Sequence, residues 1–388
     1  MPFALYLLAL VVFAMGTSEF MLAGLVPDIS THFGVSVGTA GLLTSAFAAG
    51  MVIGAPAMAA LTRHLPMRAT LVGCVLAFAL SHAVGALTPD FTVLFLTRVI
   101  AAIVNAGFLA VALGAATSLV SPDRTGRAVA VLLSGTTIAT VAGVPAGALL
   151  GASLGWQSAF WAIALLCLPA AVGIALGIAN RTHEPSADST GQPSLRAEVS
   201  QLAQPRLLLM MLLAALVNAG TFATLTFLAP IITDSTGLSP WWVSVALMIF
   251  GVGSFAGVTV AGRFSDTHSQ VLIVVGGTSL VIGWIAMALT AANPVFLLGL
   301  VFTQGLLGFA VGSTLITRVL YMATGAPTMG GSYATAALNA GATAGPLLGA
   351  FALGMMPGAL GPVWVAVTTS GAATLLAMVL RDQTVPRQ

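Results

Sequence analysis

The sequence predicts an all-α membrane protein of twelve transmembrane helices, arranged as two pseudo-symmetric six-helix bundles. Three observations predict it. The 388 residues are 58% hydrophobic and 6% charged, with no lysine; a soluble domain carries about 25% charge. Such a composition cannot cover a water-facing surface, so the chain is read as embedded in a bilayer. Apolar stretches long enough to cross as helices recur twelve times, and one long polar break divides them six and six.

The spans lie near 3–26, 38–61, 69–87, 91–116, 128–150, 157–180, 207–231, 241–261, 271–291, 294–316, 331–353 and 361–380. Turn chemistry marks their limits: Pro27-Asp28 after span 1, Pro89-Asp90 after span 3, Pro122-Asp123 after span 4. Ser239-Pro240, Asn293-Pro294 and Gly361-Pro362 do the same in the second half. The first run is too long for a signal peptide and has no basic segment before it, so it reads as a retained span. The break from Asn180 to Pro205 is rich in Pro, Ser and polar residues and reads as a flexible linker. The expected domains are therefore a bundle over 1–180, a linker over 181–205 and a second bundle over 206–388.

Arginine distribution sets orientation. The breaks after the even-numbered spans, with the tail, hold eleven arginines, and those after the odd-numbered spans hold none. By the positive-inside rule both termini, and the linker, are cytoplasmic. This predicts a multi-pass protein of the cytoplasmic (inner) membrane, with lipid as its surroundings.

The halves look duplicated. Span 5 carries Gly143, Gly147 and Gly151 with Pro145 among them; span 11 carries Gly341, Gly345 and Gly349 with Pro346. Span 2 has Gly50 and Gly54, and span 8 has Gly253 and Gly257. Glycine every fourth residue makes a smooth stripe on which a neighbouring helix backbone can lie close. Matching stripes in corresponding spans suggest a repeated six-span unit around a midplane site, a known transporter design.

Two charges lie deep inside apolar segments: Glu19 in span 1 and Arg98 in span 4. A charge at the bilayer centre costs about 3 kcal/mol on insertion scales, so such residues tend to be paired and functional. Each lies about 8 residues from the arginine-free end of its span, or roughly 12 Å deep at 1.5 Å per residue. The equal depth allows them to meet or to share one water-filled cavity. A carboxyl can exchange a proton as its access and partner change, whereas an arginine keeps its proton. Glu19 is the candidate proton carrier; Arg98 is either the charge that tunes it or a strut on span 1 carbonyls. The alternative for the pair is a structural salt bridge between spans 1 and 4.

Asn105, Asn218, Gln304 and Asn339 lie within spans as candidate substrate contacts, each weighed against a bond to a neighbouring helix. Phe222 and Phe227 in span 7 are candidate cavity aromatics. His82, near the end of span 3, reads as an interfacial spectator and Asp28 as a solvated helix end. Cys74 and Cys167 read as buried small hydrophobes, with no disulfide or metal spacing.

These residues carry a resemblance. Gly16-Thr-Ser-Glu19-Phe-Met-Leu-Ala-Gly24-Leu-Val-Pro27-Asp28 looks like the span-1 signature of the twelve-span drug:proton antiporters of the major facilitator superfamily. Arg98-Val-Ile-Ala-Ala-Ile-Val-Asn105-Ala-Gly107 resembles their span-4 arginine motif, and Gly135 through Gly151 their span-5 antiporter motif. Leu154-Gly155-Trp156-Gln157 resembles the usual start of span 6. The opening Met1-Pro-Phe-Ala-Leu-Tyr and the segment Asn105-Ala-Gly-Phe-Leu-Ala-Val-Ala-Leu look like the chloramphenicol-efflux branch. One departure stands out. The family's loop between spans 2 and 3 pairs an Asp with arginines; here Arg63 and Arg68 remain and the acid is missing. The second-half counterpart keeps Arg263 and Asp266.

The resemblance implies proton-coupled efflux of small amphipathic drugs by alternating access, chloramphenicol first, conferring antibiotic resistance. It implies a monomer that binds a drug and protons, with no nucleic acid and no cofactor. Export of a sugar, nucleoside or other metabolite on the same fold is the alternative, and a gradient-independent sensor or facilitator a second. No enzyme is expected: Gly34-Val-Ser36-Val-Gly38 and Gly251-Val-Gly253-Ser-Phe-Ala256 match enzyme motifs but sit in a helix–helix turn and inside a span. No metal-ligand spacing and no nucleotide-phosphate loop occurs, which leaves an ion gradient as the energy source.

Overall fold

The computed structural model describes residues 2–62, 65–121, 124–178, 195–326 and 329–379. Arg63 and the linker up to residue 194 lie outside the described residues. Twelve segments are long and apolar enough to cross a membrane. Span 1 is α1 (Phe3–Phe20), continued by α2 (Leu22–Phe33). Spans 2, 3 and 4 are α3 (Val37–Thr62), α4 (Met67–Leu87) and α5 (Phe91–Ser118). Span 5 is α6 (Thr125–Ile138), a π turn (Ala139–Gly143) and α7 (Val144–Leu154); span 6 is α8 (Trp156–Gly177). A short α9 (Leu195–Ser200) leads into span 7, made of α10 (Pro205–Thr226) and α11 (Leu228–Thr236). Spans 8 to 12 are α12 (Trp241–Phe264), α13 (Ser269–Thr290), α14 (Pro294–Met322), α15 (Gly330–Met355) and α16 (Gly361–Val379).

Local chemistry explains the limits. Asp90 accepts from the Thr92 and Val93 N–H groups and starts α5; Asn293 accepts from Val295 and Phe296 N–H and starts α14. These hydrogen bonds, from Thr92 first, hold the Asp90 carboxyl below the usual carboxylate range. Gly34 and Gly237 end α2 and α11 with left-handed backbone (φ 65° and 70°). The same caps recur in spans 1 and 7 and in spans 4 and 10, as a duplicated unit requires. Span 1 departs from expectation, because its helix runs on to Phe33 through Pro27. Neighbouring helices in a membrane bundle support a proline that would end an isolated helix. In span 7, Pro230 offers no N–H to the Thr226 carbonyl, and the chain leaves helical geometry at Phe227 (φ −107°, ψ 22°).

The glycine stripes pack as the repeat predicts. A Cβ at Gly50 or Gly54 would strike span 4, at Val99 or Ile103. A Cβ at Gly253 or Gly257 would strike span 10, at the Phe302 or Leu306 carbonyl. Gly143 and Gly151 close on Thr17 and Leu25 of span 1, and Gly341 and Gly345 on Ala215 and Ala219 of span 7. The two spans differ at their prolines. Span 11 stays α-helical through Pro346, whereas span 5 makes its π turn just before Pro145. Pro145 has no N–H for the Val141 carbonyl, and the wider turn takes up that mismatch.

The halves meet along two seams. Span 2 lies on span 11: Gly38 faces Ala350, the Ser45 hydroxyl donates to the Thr343 carbonyl at 2.8 Å, and the Ser332 hydroxyl reaches Ala55 at 3.4 Å. Span 5 lies on span 8, where the π turn presses the Thr140 carbonyl onto Gly251. At the arginine-free ends the two halves are joined: α2 packs on α11, and the fully buried Phe227 is wedged between Gly41 and Gly349.

The stretch expected as flexible linker holds structure near its end. Glu198 of α9 accepts from the Met329 N–H at 2.8 Å, at the N-terminus of α15, and the Tyr333 hydroxyl donates to the Glu198 carbonyl at 2.9 Å. A carboxylate at a helix N-terminus complements the helix dipole, which gives this polar segment a reason to order.

Gly345→Val should lower the thermal unfolding temperature of purified protein, because the Ala219 backbone behind it cannot yield. Overpacking of this kind costs about 1–3 kcal/mol. Gly312→Ala, with open space at its Cβ, should cause no loss.

Candidate functional site

The site begins with Ser18. Its hydroxyl accepts from Arg98 Nη1 at 2.8 Å, and its carbonyl accepts from Arg98 Nη2 at 2.7 Å. The hydroxyl is also 2.7 Å from His82 Nε2, while His82 Nδ1 lies 2.8 Å from the Phe78 carbonyl. A carbonyl only accepts, so Nδ1 carries the hydrogen. In the neutral tautomer Nε2 then accepts from the Ser18 hydroxyl, and one chain of bonds runs from Arg98 through Ser18 and His82 to the span 3 backbone. The guanidinium also sits 4.6 Å from the centre of the Phe47 ring and 5.9 Å from that of Phe160. Ser18, His82 and Arg98 are all 1% exposed or less. Spans 1, 2, 3, 4 and 6 thus converge on one immobilised positive charge.

Glu19 is the next residue, and its treatment is opposite. It is part-buried and forms no hydrogen bond or ion pair among the described residues. Arg98 acts on it only through space. The salt-bridge alternative is therefore not the geometry found, and Arg98 has taken the strut position on the span 1 carbonyl. Span 1 continues as α2 to Phe33, so Glu19 lies farther from the end of its span than Arg98 does from the start of α5. The two come together because their spans cross at Ser18.

The segment that carries Glu19 rests on span 5. Gly143, in the π turn, has no room for a side chain against Thr17. Gly147 faces Met21, and Gly151 faces Leu25. Gly143, Gly147 and Gly151 thus form the bed of span 1 on one side, while Thr140 makes the contact with span 8 on the other. On the seam beside Glu19, the Phe20 and Phe222 rings lie 5.6 Å apart, and Phe222 packs with Ala48 and Ala342.

The amides divide. Asn218, one helical turn from Phe222, donates to the Leu338 carbonyl of span 11 at 2.7 Å and keeps part of its surface open. Asn339 donates to its own helix at Thr335. Asn105 is buried against Met51, with its Nδ2 3.7 Å from the sulfur and its Oδ1 without a partner among the described residues. Gln304 is 1% exposed and donates to the Leu280 carbonyl of span 9, inside the second bundle and off the seam. For Asn218 and Gln304 the bond to a neighbouring helix is the geometry found.

Two other expectations change. His82 is an internal link, not an interfacial spectator. Asp266 accepts from the Tyr321 hydroxyl at 2.9 Å, and among the described residues it makes no ion pair with Arg263, which lies over Phe264. Arg68 begins α4. Asp28 is exposed and lines an open cavity with Thr31, His32, Trp156 and Gln157, which agrees with a solvated helix end. Cys74 and Cys167 are buried and free, as expected.

Ser18 is what the sequence reading missed as a separate element. It stood inside the span-1 signature, and only a three-dimensional crossing reveals that its neighbour's partner is its own.

A duplicated twelve-helix bundle, with a membrane-embedded acid that has no hydrogen-bond partner among the described residues, fits the architecture of a membrane transporter. The chain belongs to the major facilitator superfamily: the family model described as Major Facilitator Superfamily matches residues 8–336. It is 61% identical over 382 residues to the "Chloramphenicol resistance protein" of Streptomyces lividans, covering 98% of this chain and 97% of that one. It is 29% identical over 382 residues to the "Inner membrane transport protein YdhP" of Escherichia coli K12, with the same coverage. A bacterial homologue of the human lysosomal transporter Spinster, in an inward-facing and unoccupied conformation, shares the fold. It matches with TM-score 0.73 and 18% identity over 98% of this chain and 95% of that one.

Ser18→Ala should destabilise the protein, because Arg98 Nη1 and His82 Nε2 both lose a buried partner. Each orphaned group costs about 1–3 kcal/mol. Thermal unfolding should show the loss, and Thr39→Ala, whose bonds are exposed, should not.

Proposed function

We propose that the protein exports small, largely neutral amphipathic drugs, chloramphenicol first, in exchange for protons. The observation that carries the reading is the Glu19 carboxyl, which has no hydrogen-bond partner among the described residues and stands next to an arginine whose hydrogen bonds go to Ser18 instead. A carboxyl without a fixed partner in a membrane bundle can take and give a proton, and intramembrane acids are functional by default. The drug assignment draws on the name of the Streptomyces relative and on the length of that likeness.

In this reading both termini face the cytoplasm of a cell whose cytoplasmic membrane holds the protein as a monomer. The six-span halves, 1–180 and 206–388, rock about the seams with 181–205 as their tether. Open to the outside, Glu19 takes a proton and the drug leaves between the halves. Open to the cytoplasm, Glu19 yields the proton and drug binds beside Phe20, Phe222 and Asn218, with Asn339 as a further polar contact. Asn105 and Gln304 drop out of the drug contacts because each is sealed within one bundle. Arg98 remains as the fixed charge that favours release of the proton. One proton moving across 100 mV supplies about 2.3 kcal/mol, enough for a gradient of about 50-fold.

Expression in an efflux-deficient host tests the reading. Wild type should raise chloramphenicol tolerance, and an uncoupler should restore drug accumulation. Glu19→Gln should reach the membrane in equal amount yet protect no better than an empty vector. Equal protection by the variant would remove Glu19 from proton coupling; no protection by wild type would remove chloramphenicol as substrate.

A further inference from the structure

The second bundle holds a small cavity of about 10 Å³ on the inner faces of spans 7, 8, 9 and 10, lined among others by Thr221, Thr224, Trp284, Met287 and Gln304. Three of these residues bring a buried polar atom with no hydrogen-bond partner among the described residues: Thr224 Oγ1, Trp284 Nε1 and Gln304 Oε1. The residues are 3%, 2% and 1% exposed. The Gln304 amide is oriented, because its Nε2 donates to the Leu280 carbonyl at 3.0 Å, which leaves Oε1 as an acceptor. The indole N–H of Trp284 can only donate, and the Thr224 hydroxyl can do either.

We infer that this cavity is a binding site for one structural water that ties span 7 to spans 9 and 10. The donor and acceptor set fits a single molecule. Water accepts from Trp284 Nε1–H, donates to Gln304 Oε1, and exchanges its third bond with the Thr224 hydroxyl. Three bonds are the usual number for a buried water, and a cavity of this size admits one. Nothing larger fits, so the drug is excluded from it.

The position gives the site a role. Spans 7, 9 and 10 are the counterparts of spans 1, 3 and 4, whose Ser18, His82 and Arg98 bond to one another directly. The first bundle joins these three helices with a permanent charge, and the second joins them with a neutral, exchangeable molecule. Thr224 lies just before the Phe227 turn in span 7. The water therefore supports the end of α10 where the helix bends, without adding a second charge to compete for the proton.

Radiolytic hydroxyl-radical labelling of the full-length protein in lipid nanodiscs tests this, because a radical made from a bound water oxidises the side chains beside it. The protein is equilibrated in H₂¹⁸O and diluted briefly into ordinary water before exposure. Trp284 and Met287 should be oxidised several-fold more than Met210 and Phe108, equally buried residues away from the cavity, and should retain ¹⁸O. Thr224→Val and Gln304→Met should each lower that labelling towards the Met210 level. Labelling of wild-type Trp284 and Met287 no higher than Met210 would overturn the site. So would ¹⁶O label alone, which would mean open access to bulk water, or labelling that neither substitution reduces.

Discussion

The structure depends on where Arg98 spends its hydrogen bonds. A guanidinium inside a membrane bundle cannot shed its charge and has to be held. Here Ser18 supplies two oxygens, and Phe47 and Phe160 supply ring faces. His82 fixes the Ser18 hydroxyl from the far side. Because both terminal nitrogens of the arginine bond to the residue next to Glu19, while its Nε has no partner among the described residues, the carboxyl stays near a positive charge without being locked to it. A direct salt bridge would have made the acid a permanent anion and a structural part. The observed arrangement leaves it able to change protonation.

The rest of the first bundle serves that crossing. Span 1 must pass close to spans 4 and 5 together, and glycine allows it. The π turn ahead of Pro145 shapes span 5 so that Gly143 meets Thr17 while the Thr140 carbonyl meets Gly251 of the other half. A shift of span 5 against span 8 is thereby a shift against the segment that carries Glu19. The second bundle repeats the frame, with matching caps and stripes, yet among the described residues it has no π turn and no counterpart of Arg98 in span 10. The duplicated fold is asymmetric: the bonded Arg98 and its neighbour Glu19 stand in one half only.

Much of this was legible in the sequence, because the physics of the bilayer is one-dimensional along the chain. Twelve apolar runs, the arginine alternation and the paired glycine stripes need only counting, and all twelve spans are present. Their ends were less legible. Pro27-Asp28 read as a break, but a proline supported by neighbouring helices stays inside one. The segment at Leu195–Ser200 read as linker because its order comes from a distant partner, the Met329 N–H. The site was half legible. Glu19 and Arg98 stand out as charges among apolar residues, whereas Ser18 and His82 are ordinary polar residues whose meaning lies in a crossing of helices 64 and 80 residues apart in sequence. The amide of Gln304 looked like Asn218 in sequence; only packing separates the sealed interior from the seam.

Proton release on drug binding tests the central claim most directly. Purified protein in weakly buffered detergent solution, with a pH indicator, is mixed with chloramphenicol. If Glu19 exchanges its proton for drug beside a fixed Arg98, wild type releases protons in proportion to drug bound, and Glu19→Gln binds drug with no release. Release of equal size from both proteins, or saturable binding to wild type with none, would contradict the account.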